Sequence, residues 1–150
     1  VSCGSGEFLR ELSEISAAKL QGMDYSENMI ELASKKLGKK ATIIQGDVHH
    51  LPHSSESFTK VVSTEAFHHY YDPKKALDEM SRVVKKGGKI IVSDVHFFLS
   101  IIHRLFECFE PGCVKINSRK ELYNLFQQAG LTNIKQRRSF LFSIITEGIK

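Results

Sequence analysis

Two periodicities of apolar residues alternate along the chain. Phe8, Leu9, Leu12 and Ile15 recur at helical spacing and predict a helix over residues 5–15 with one apolar stripe. Residues 18–23 read as a short strand that ends at Asp24. Ser26 is placed to cap a second helix whose buried face is Met29, Ile30, Ala33 and Leu37, with Gly38 at its stop. Residues 41–45 form an apolar run of strand length, residues 46–57 a polar loop containing Pro52, and residues 58–63 a strand carrying Val61 and Val62. Asp72-Pro73 predicts a sharp helix start. Ala76, Leu77, Met80, Val83 and Val84 give that helix its apolar side, and Gly87-Gly88 is expected to end it. Residues 89–94 are a further buried strand. Ser118 and Glu121 form a capping-box pattern that opens a helix to Gln128, closed by Gly130. Residues 134–138 and 140–145 are the last two strands.

Helix and strand thus alternate until the last two strands, which follow one another directly. Alternation of this kind implies right-handed crossovers and a mostly parallel sheet covered on both faces. The final pair is expected to be an antiparallel hairpin at a sheet edge. In such α/β sheets ligands bind beyond the carboxyl ends of the strands, where the strand order reverses. Candidate chemistry is therefore sought in the loops that follow each strand. No internal repeat or low-complexity segment interrupts the pattern.

Composition narrows the class without changing this picture. A chain of 150 residues, 41% hydrophobic and 25% charged, suits one globular domain and excludes a disordered, collagenous or coiled-coil chain. The most apolar stretch, residues 95–109, is broken by His96, His103, Arg104 and Glu107, so no membrane span is expected. Three cysteines, Cys3, Cys108 and Cys113, with no Cys-x-x-Cys pair, argue against a disulfide framework or a zinc site and for a reducing, cytoplasmic setting, and no metal is expected. The net charge of +4 comes from scattered basic doublets, mostly at helix ends, and not from the clustered stripe of a nucleic-acid binder.

Three strand-end loops carry the candidate chemistry. Gly4-Ser5-Gly6 lets backbone approach a ligand and opens a helix whose N–H groups suit an anion, with a plain tight strand-to-helix turn as the alternative. Asp24, 18 residues after Gly6, is placed to accept both ribose hydroxyls of a nucleoside, or merely to start a turn. Gly46-Asp47-Val48 offers a carboxylate to an exocyclic amine and a backbone N–H to a ring nitrogen. Each is common alone; their succession at consecutive strand ends is not.

These residues resemble the class I S-adenosylmethionine-dependent methyltransferases, in particular the small-molecule branch known as type 11 or UbiE-like. Gly4-Ser5-Gly6 is similar to the end of that family's glycine motif. Residues 22–26 match its acidic motif, and Gly46-Asp47-Val48 with Leu51-Pro52 its adenine motif. Residues 58–71 match its fourth strand and following loop, and residues 82–89 the helix end before strand five. The resemblance implies a Rossmann-like, doubly wound α/β sheet with an antiparallel C-terminal hairpin, and S-adenosylmethionine as cofactor with S-adenosylhomocysteine as product. It implies that Gly4 and Gly6 pack against the methionine part, that Asp24 holds the ribose with Tyr25 beside the adenine, and that Asp47 and the Val48 backbone hold the adenine. Ser63 and Thr64 would lie under the sulfonium, and His68 and His69 near the acceptor. Ser2 stands where the family has a further glycine, Thr59 where it has aspartate and Lys86 where it has proline. The family's first, central strand would largely precede Val1, so residues 1–150 are expected to be an N-terminally truncated single domain.

A sulfonium is already a strong methyl donor, so the protein's task in this reading is in-line alignment of a small-molecule acceptor. His68 and His69 are the candidate general bases, each also readable as a hydrogen-bonded loop histidine. Tyr70 and Tyr71 are candidate acceptor-pocket walls, or packing before the Asp72 cap. Residues 95–117 are expected to form a lid or acceptor wall, with Phe97, Phe98, Ile101, Ile102, Leu105, Phe106 and Phe109 on more than one face. A dimer contact or plain core packing is the alternative, and the oligomer is expected to be monomer or homodimer. His49, His50 and His53 are expected to be an exposed loop and not a metal site. Met23, Met29 and Met80 read as core filler. A nicotinamide-dependent oxidoreductase is opposed by Leu9, which stands where its third small residue belongs. A non-catalytic cofactor-binding protein and an RNA methyltransferase are the remaining alternatives.

Overall fold

A computed structural model describes residues 1–97, 100–140 and 142–150. Phe98, Leu99 and Leu141, together with the side chains of Ile101 and Leu105, lie outside the described residues, and with them part of the expected apolar lid and of the last strand. The chain divides into two units, residues 1–52 and 53–150.

The first unit runs α1 (Glu7–Ile15), β1 (Leu20–Asp24), α2 (Glu27–Leu37), a 3-10 turn (Gly38–Lys40) and β2 (Ala41–Gln45). Ser26 caps α2 as expected, its Oγ accepting from Met29 N. β1 and β2 pair in parallel, from Leu20 against Ala41 to Asp24 against Gln45. Leu9 of α1 and Ala33 and Leu37 of α2 form one buried apolar cluster, with Cys3, Leu20, Ala41 and Ile43 packed against it. The apolar stripe expected on α1 is buried only in part. Leu9 is covered, whereas Phe8 is 43% and Ile15 83% exposed.

The second unit contains β3 (Phe58–Thr64), a 3-10 turn (Phe67–His69), α3 (Pro73–Val83), β4 (Val84–Val95), α4 (Ser100–Phe109), α5 (Arg119–Gln128), β5 (Thr132–Phe140) and β6 (Ser143–Ile149). Its sheet has the order β3-β4-β6-β5. β3 and β4 are parallel, and β6 is antiparallel to both β4 and β5, which puts the C-terminal hairpin at the sheet edge as the sequence implies. Asp72 caps α3 by accepting from Lys75 N, with Pro73 in the first turn. Ser118 and Glu121 form the capping box of α5. Ala76, Leu77 and Met80 of α3, Ile90 and Val92 of β4, and Leu122 and Phe126 of α5 are fully buried.

Several boundaries differ from the sequence reading, most of all the end of α3 and the end of β6. α3 stops at Val83, not at Gly87-Gly88, and β4 begins at once. Val84 takes up extended geometry, its N–H donating back to Met80 O while its side chain is completely buried. The two glycines lie inside the strand, where Gly87 N donates to Lys150 O and Lys150 N to Gly88 O. The same pairing carries β6 on to Ile149, beyond the expected end at residue 145. Among the described residues no helix is long and apolar enough to cross a membrane.

Candidate functional site

In the first unit the parallel register sets the carboxyl ends of β1 and β2 side by side, because Asp24 lies opposite Gln45. Gly46 N donates to Asp24 O at 2.9 Å as the chain leaves β2. The glycine loop reaches the same edge, with Cys3 N donating to Met23 O at 2.9 Å. The Asp24 carboxylate then ties the loops together. Its Oδ2 accepts from Gly4 N at 2.8 Å and its Oδ1 from Ser26 N at 3.0 Å. An ionised carboxylate has about four acceptor positions, so these two bonds leave capacity for ligand hydroxyls. Burial, and then the negative charge of Asp24, pushes the Cys3 thiol up from its ordinary range.

The loop's shape follows from its glycines. Gly4 and Gly6 have φ of +52° and +79°, in the left-handed region that L side chains avoid. Gly6 also touches α2 so closely that an added Cβ would lie 2.9 Å from Leu37 Cδ1 and 3.1 Å from Ala33 Cβ. Gly4 is different: nothing lies within 4 Å of where its Cβ would be. That leaves open space beside an amide fastened to Asp24. Ser2 shares the positive φ, at +51°. Gly6 precedes α1 without a side-chain cap, and the helix N-terminus opens behind the loop.

Asp47 follows Gly46. Its Oδ1 accepts from His49 N at 2.9 Å and lies 2.6 Å from His49 Nδ1, while Oδ2 is 3.8 Å from His50 Nδ1. His49 is buried, with its ring Nδ1 against the Asp47 carboxylate, which corrects the expectation of an exposed loop at that position. His50 is exposed as expected. Val48 is buried and Tyr25 is 77% exposed, with Gln45 Nε2 donating to Tyr25 O.

In the second unit the parallel register aligns Thr64 with Ser93, so the loop after β3 meets the end of β4. Phe67 and Tyr70 anchor the 3-10 turn in the core, their rings 5.1 Å apart. His68 is thereby directed inward and His69 outward. His68 Nδ1 lies 2.6 Å from Asp94 Oδ1, and both side chains are 4% exposed. Burial alone would push the His68 imidazole down. The hydrogen bond to Asp94 and its charge, with Glu65 and Glu110 adding, outweigh burial and raise it above the ordinary imidazole range. His69 Nδ1 is 2.8 Å from Gly112 O, and its ring lies 4.1 Å from that of His68. Val114 N and Lys115 N both donate to His68 O, tying residues 110–115 to the histidine turn.

Ser63 and Thr64 end β3. Ser63 is fully buried, and its Oγ is 2.9 Å from Tyr70 Oη. Tyr71 is 64% exposed. Glu65, next in the chain, holds a strained φ of +48°, and its Oε1 accepts from Ser93 Oγ and Ser143 Oγ. His53 packs edge-on against Phe58. Burial and then the Arg82 charge push its imidazole down.

The family model for the methyltransferase domain matches residues 1–92. The chain belongs to that family. It is an S-adenosylmethionine-dependent methyltransferase of class I. The methyltransferase is 26% identical over 164 aligned residues to demethylmenaquinone methyltransferase of Staphylococcus aureus, across 91% of this chain and 68% of the relative. It is similar to a solved structure of an S-adenosylmethionine-dependent methyltransferase, possible histamine N-methyltransferase, of Thermotoga maritima. That similarity has a TM-score of 0.81 at 25% identity, over 100% of this chain and 79% of the other. The fold is also that of the YcgJ protein of Bacillus subtilis, with a TM-score of 0.89 at 18% identity over 99% and 89% of the two chains. The Rossmann-like α/β class and the cofactor expected from the motifs are thus those of the methyltransferase.

The sequence reading missed Asp94, Glu110 and the Ser63–Tyr70 bond. Asp94 left a usable signal, a carboxylate at the end of an apolar strand. Glu110 left none, because its approach to the histidine turn depends on the path of the chain after α4.

Proposed function

We propose that the methyltransferase transfers a methyl group in line to a small-molecule acceptor, and that His68, positioned by Asp94, takes the acceptor's proton. The buried His68–Asp94 pair at the carboxyl ends of β3 and β4 carries this reading. A donated Nδ1–H leaves the lone pair on Nε2, which is the base. S-adenosylmethionine supplies an electrophilic methyl group and leaves as the neutral thioether S-adenosylhomocysteine.

The residues fit that cofactor. The open space at Gly4 and the remaining acceptor capacity of Asp24 support a site for the methionine part and the ribose. Gly6 and Ser2 shape the loop, Asp47 and Val48 take the adenine, and Tyr25 offers an exposed ring beside it. Ser63 and Thr64 belong to the methyl-transfer side. His69 orients the acceptor. Residues 1–150 then act as one cofactor-binding domain, and residues 95–117 as the acceptor's cover; the two hydrogen bonds to His68 O support that cover.

A small acceptor is supported by the names of the relatives, a demethylmenaquinone methyltransferase and a possible histamine N-methyltransferase. Three free cysteines support a reducing compartment, the cytoplasm. The test is His68→Ala, assayed for product formation over a panel of phenol, quinol and amine acceptors and for cofactor affinity by calorimetry. Turnover is expected to fall by about 10²–10⁴-fold while cofactor affinity stays within a factor of a few. Equal turnover in the two proteins removes His68 from the mechanism.

A further inference from the structure

We propose that His68, His69 and Glu110 form a site for a divalent transition metal of the zinc class. One ligand atom from each lies within 4.8 Å of those of the other two. Two imidazoles and one carboxylate are a common protein ligand set for zinc, leaving a fourth position open.

The arrangement around the two rings is what distinguishes this cluster. A metal-binding histidine needs its other ring nitrogen committed as a donor, to a carboxylate or a backbone carbonyl, so that the lone pair faces the metal. Both partners are present. His68 Nδ1 is held by Asp94 at 2.6 Å, and His69 Nδ1 by Gly112 O at 2.8 Å. Each bond leaves Nε2 as the ligand atom. The rings themselves lie 4.1 Å apart, adjacent in sequence on one 3-10 turn. Glu110 is fixed from the other side by its place just after α4, where its N–H donates to Phe106 O and its carbonyl accepts from Cys113 N. Bonds of about 2.0–2.2 Å put tetrahedral ligand atoms about 3.4 Å apart, so the three groups must close by about 1.5 Å at most. Rotation of the Glu110 side chain, which is partly exposed, moves its carboxylate relative to the two imidazoles, whose own spacing is set by the histidine turn.

The site goes beyond the methyl-transfer reading and meets it at one atom. Nε2 of His68 cannot hold a metal and accept a proton together, so a bound metal opposes turnover.

Titration of the full chain with cobalt(II), followed by ligand-field absorption, tests the proposal. The expected result is a saturating absorption of four- or five-coordinate cobalt, displaced by zinc. His69→Ala and Glu110→Gln are expected to abolish it, and Asp94→Asn to weaken it by about 10–100-fold. His69 is exposed and Glu110 is partly so, and circular dichroism checks that both variants fold. No saturable absorption in the wild type overturns the proposal, as does an absorption that survives in both ligand variants or is lost only in His50→Ala. Calorimetry with S-adenosylhomocysteine on the same samples separates the two readings. Cofactor binding without cobalt binding removes the metal site alone. Cobalt binding without inhibition of turnover leaves the site standing and removes His68 as base.

Discussion

Alanine at Gly4 and at Gly6 should have unequal costs, although the two glycines share a loop and a left-handed backbone. At both positions an L side chain in that region costs about 1–2 kcal/mol. At Gly4 that is the whole cost, because the new methyl group meets nothing within 4 Å. At Gly6 the methyl group would lie 2.9 Å from Leu37 Cδ1, 3.1 Å from Ala33 Cβ and 3.3 Å from Ala33 Cα. Leu37 has a rotamer to give up but is 2% exposed, and Ala33, fully buried, has none. The loop or α2 must therefore move, an overpacking cost of about 1–3 kcal/mol. Gly6→Ala is expected to lose about 2–5 kcal/mol and Gly4→Ala about 1–2 kcal/mol. Urea denaturation of the three proteins measures both. Gly4→Ala should instead be the more damaging to cofactor affinity, because its methyl group fills the open space. Equal destabilisation by the two variants, or undiminished cofactor affinity in Gly4→Ala, would refute the reasoning.

The remaining predictions concern the second unit. The hydrogen bond from Lys115, then the Ser118 backbone, lower the Glu121 carboxyl to about 2. Its stabilising contribution is complete above the unfolded value of 4.5 and lost as pH falls through about 2, so between those limits wild type should lose more stability than Glu121→Gln in acid denaturation. Glu121 is 45% exposed at its side chain, which screens the effect and makes it small. Phe126→Ala, at a fully buried position of α5, should cost about 3–5 kcal/mol in the same denaturation assay. Tyr70→Phe strips the buried Ser63 Oγ of its partner and should cost about 1–3 kcal/mol; in a Ser63→Ala background the same change should cost less, measured as a double-mutant cycle.

Much of the architecture was legible because local chemistry and tertiary packing agree. Ser26, Asp72 and Ser118 each satisfy helix N–H groups in the way their sequence position implies. The end of α3 was not legible. A glycine pair is a local stop signal, but burial of Val84 against the core ends the helix sooner and draws the glycines into β4. The loops at Gly4, Asp24 and Gly46 could be expected to meet because parallel strands bring their carboxyl ends to one edge. Their internal bonds could not be foreseen. Asp24 grips Gly4 N and Asp47 grips His49, which depends on φ and on the path of each turn rather than on spacing. His49 was misjudged for that reason. Asp94 carried the mark of a carboxylate at a strand end, but nothing local ties it to His68, 26 residues away.

The central claim is that the Asp24 edge of the β1–β2 sheet holds S-adenosylmethionine. Calorimetric titration of S-adenosylhomocysteine into the wild type and Asp24→Asn tests it most directly. The account predicts saturable binding by the wild type, and binding about 10–100-fold weaker once the charged acceptor is removed, with the fold retained by circular dichroism. No heat from the wild type, or equal affinity in the two proteins, would contradict it.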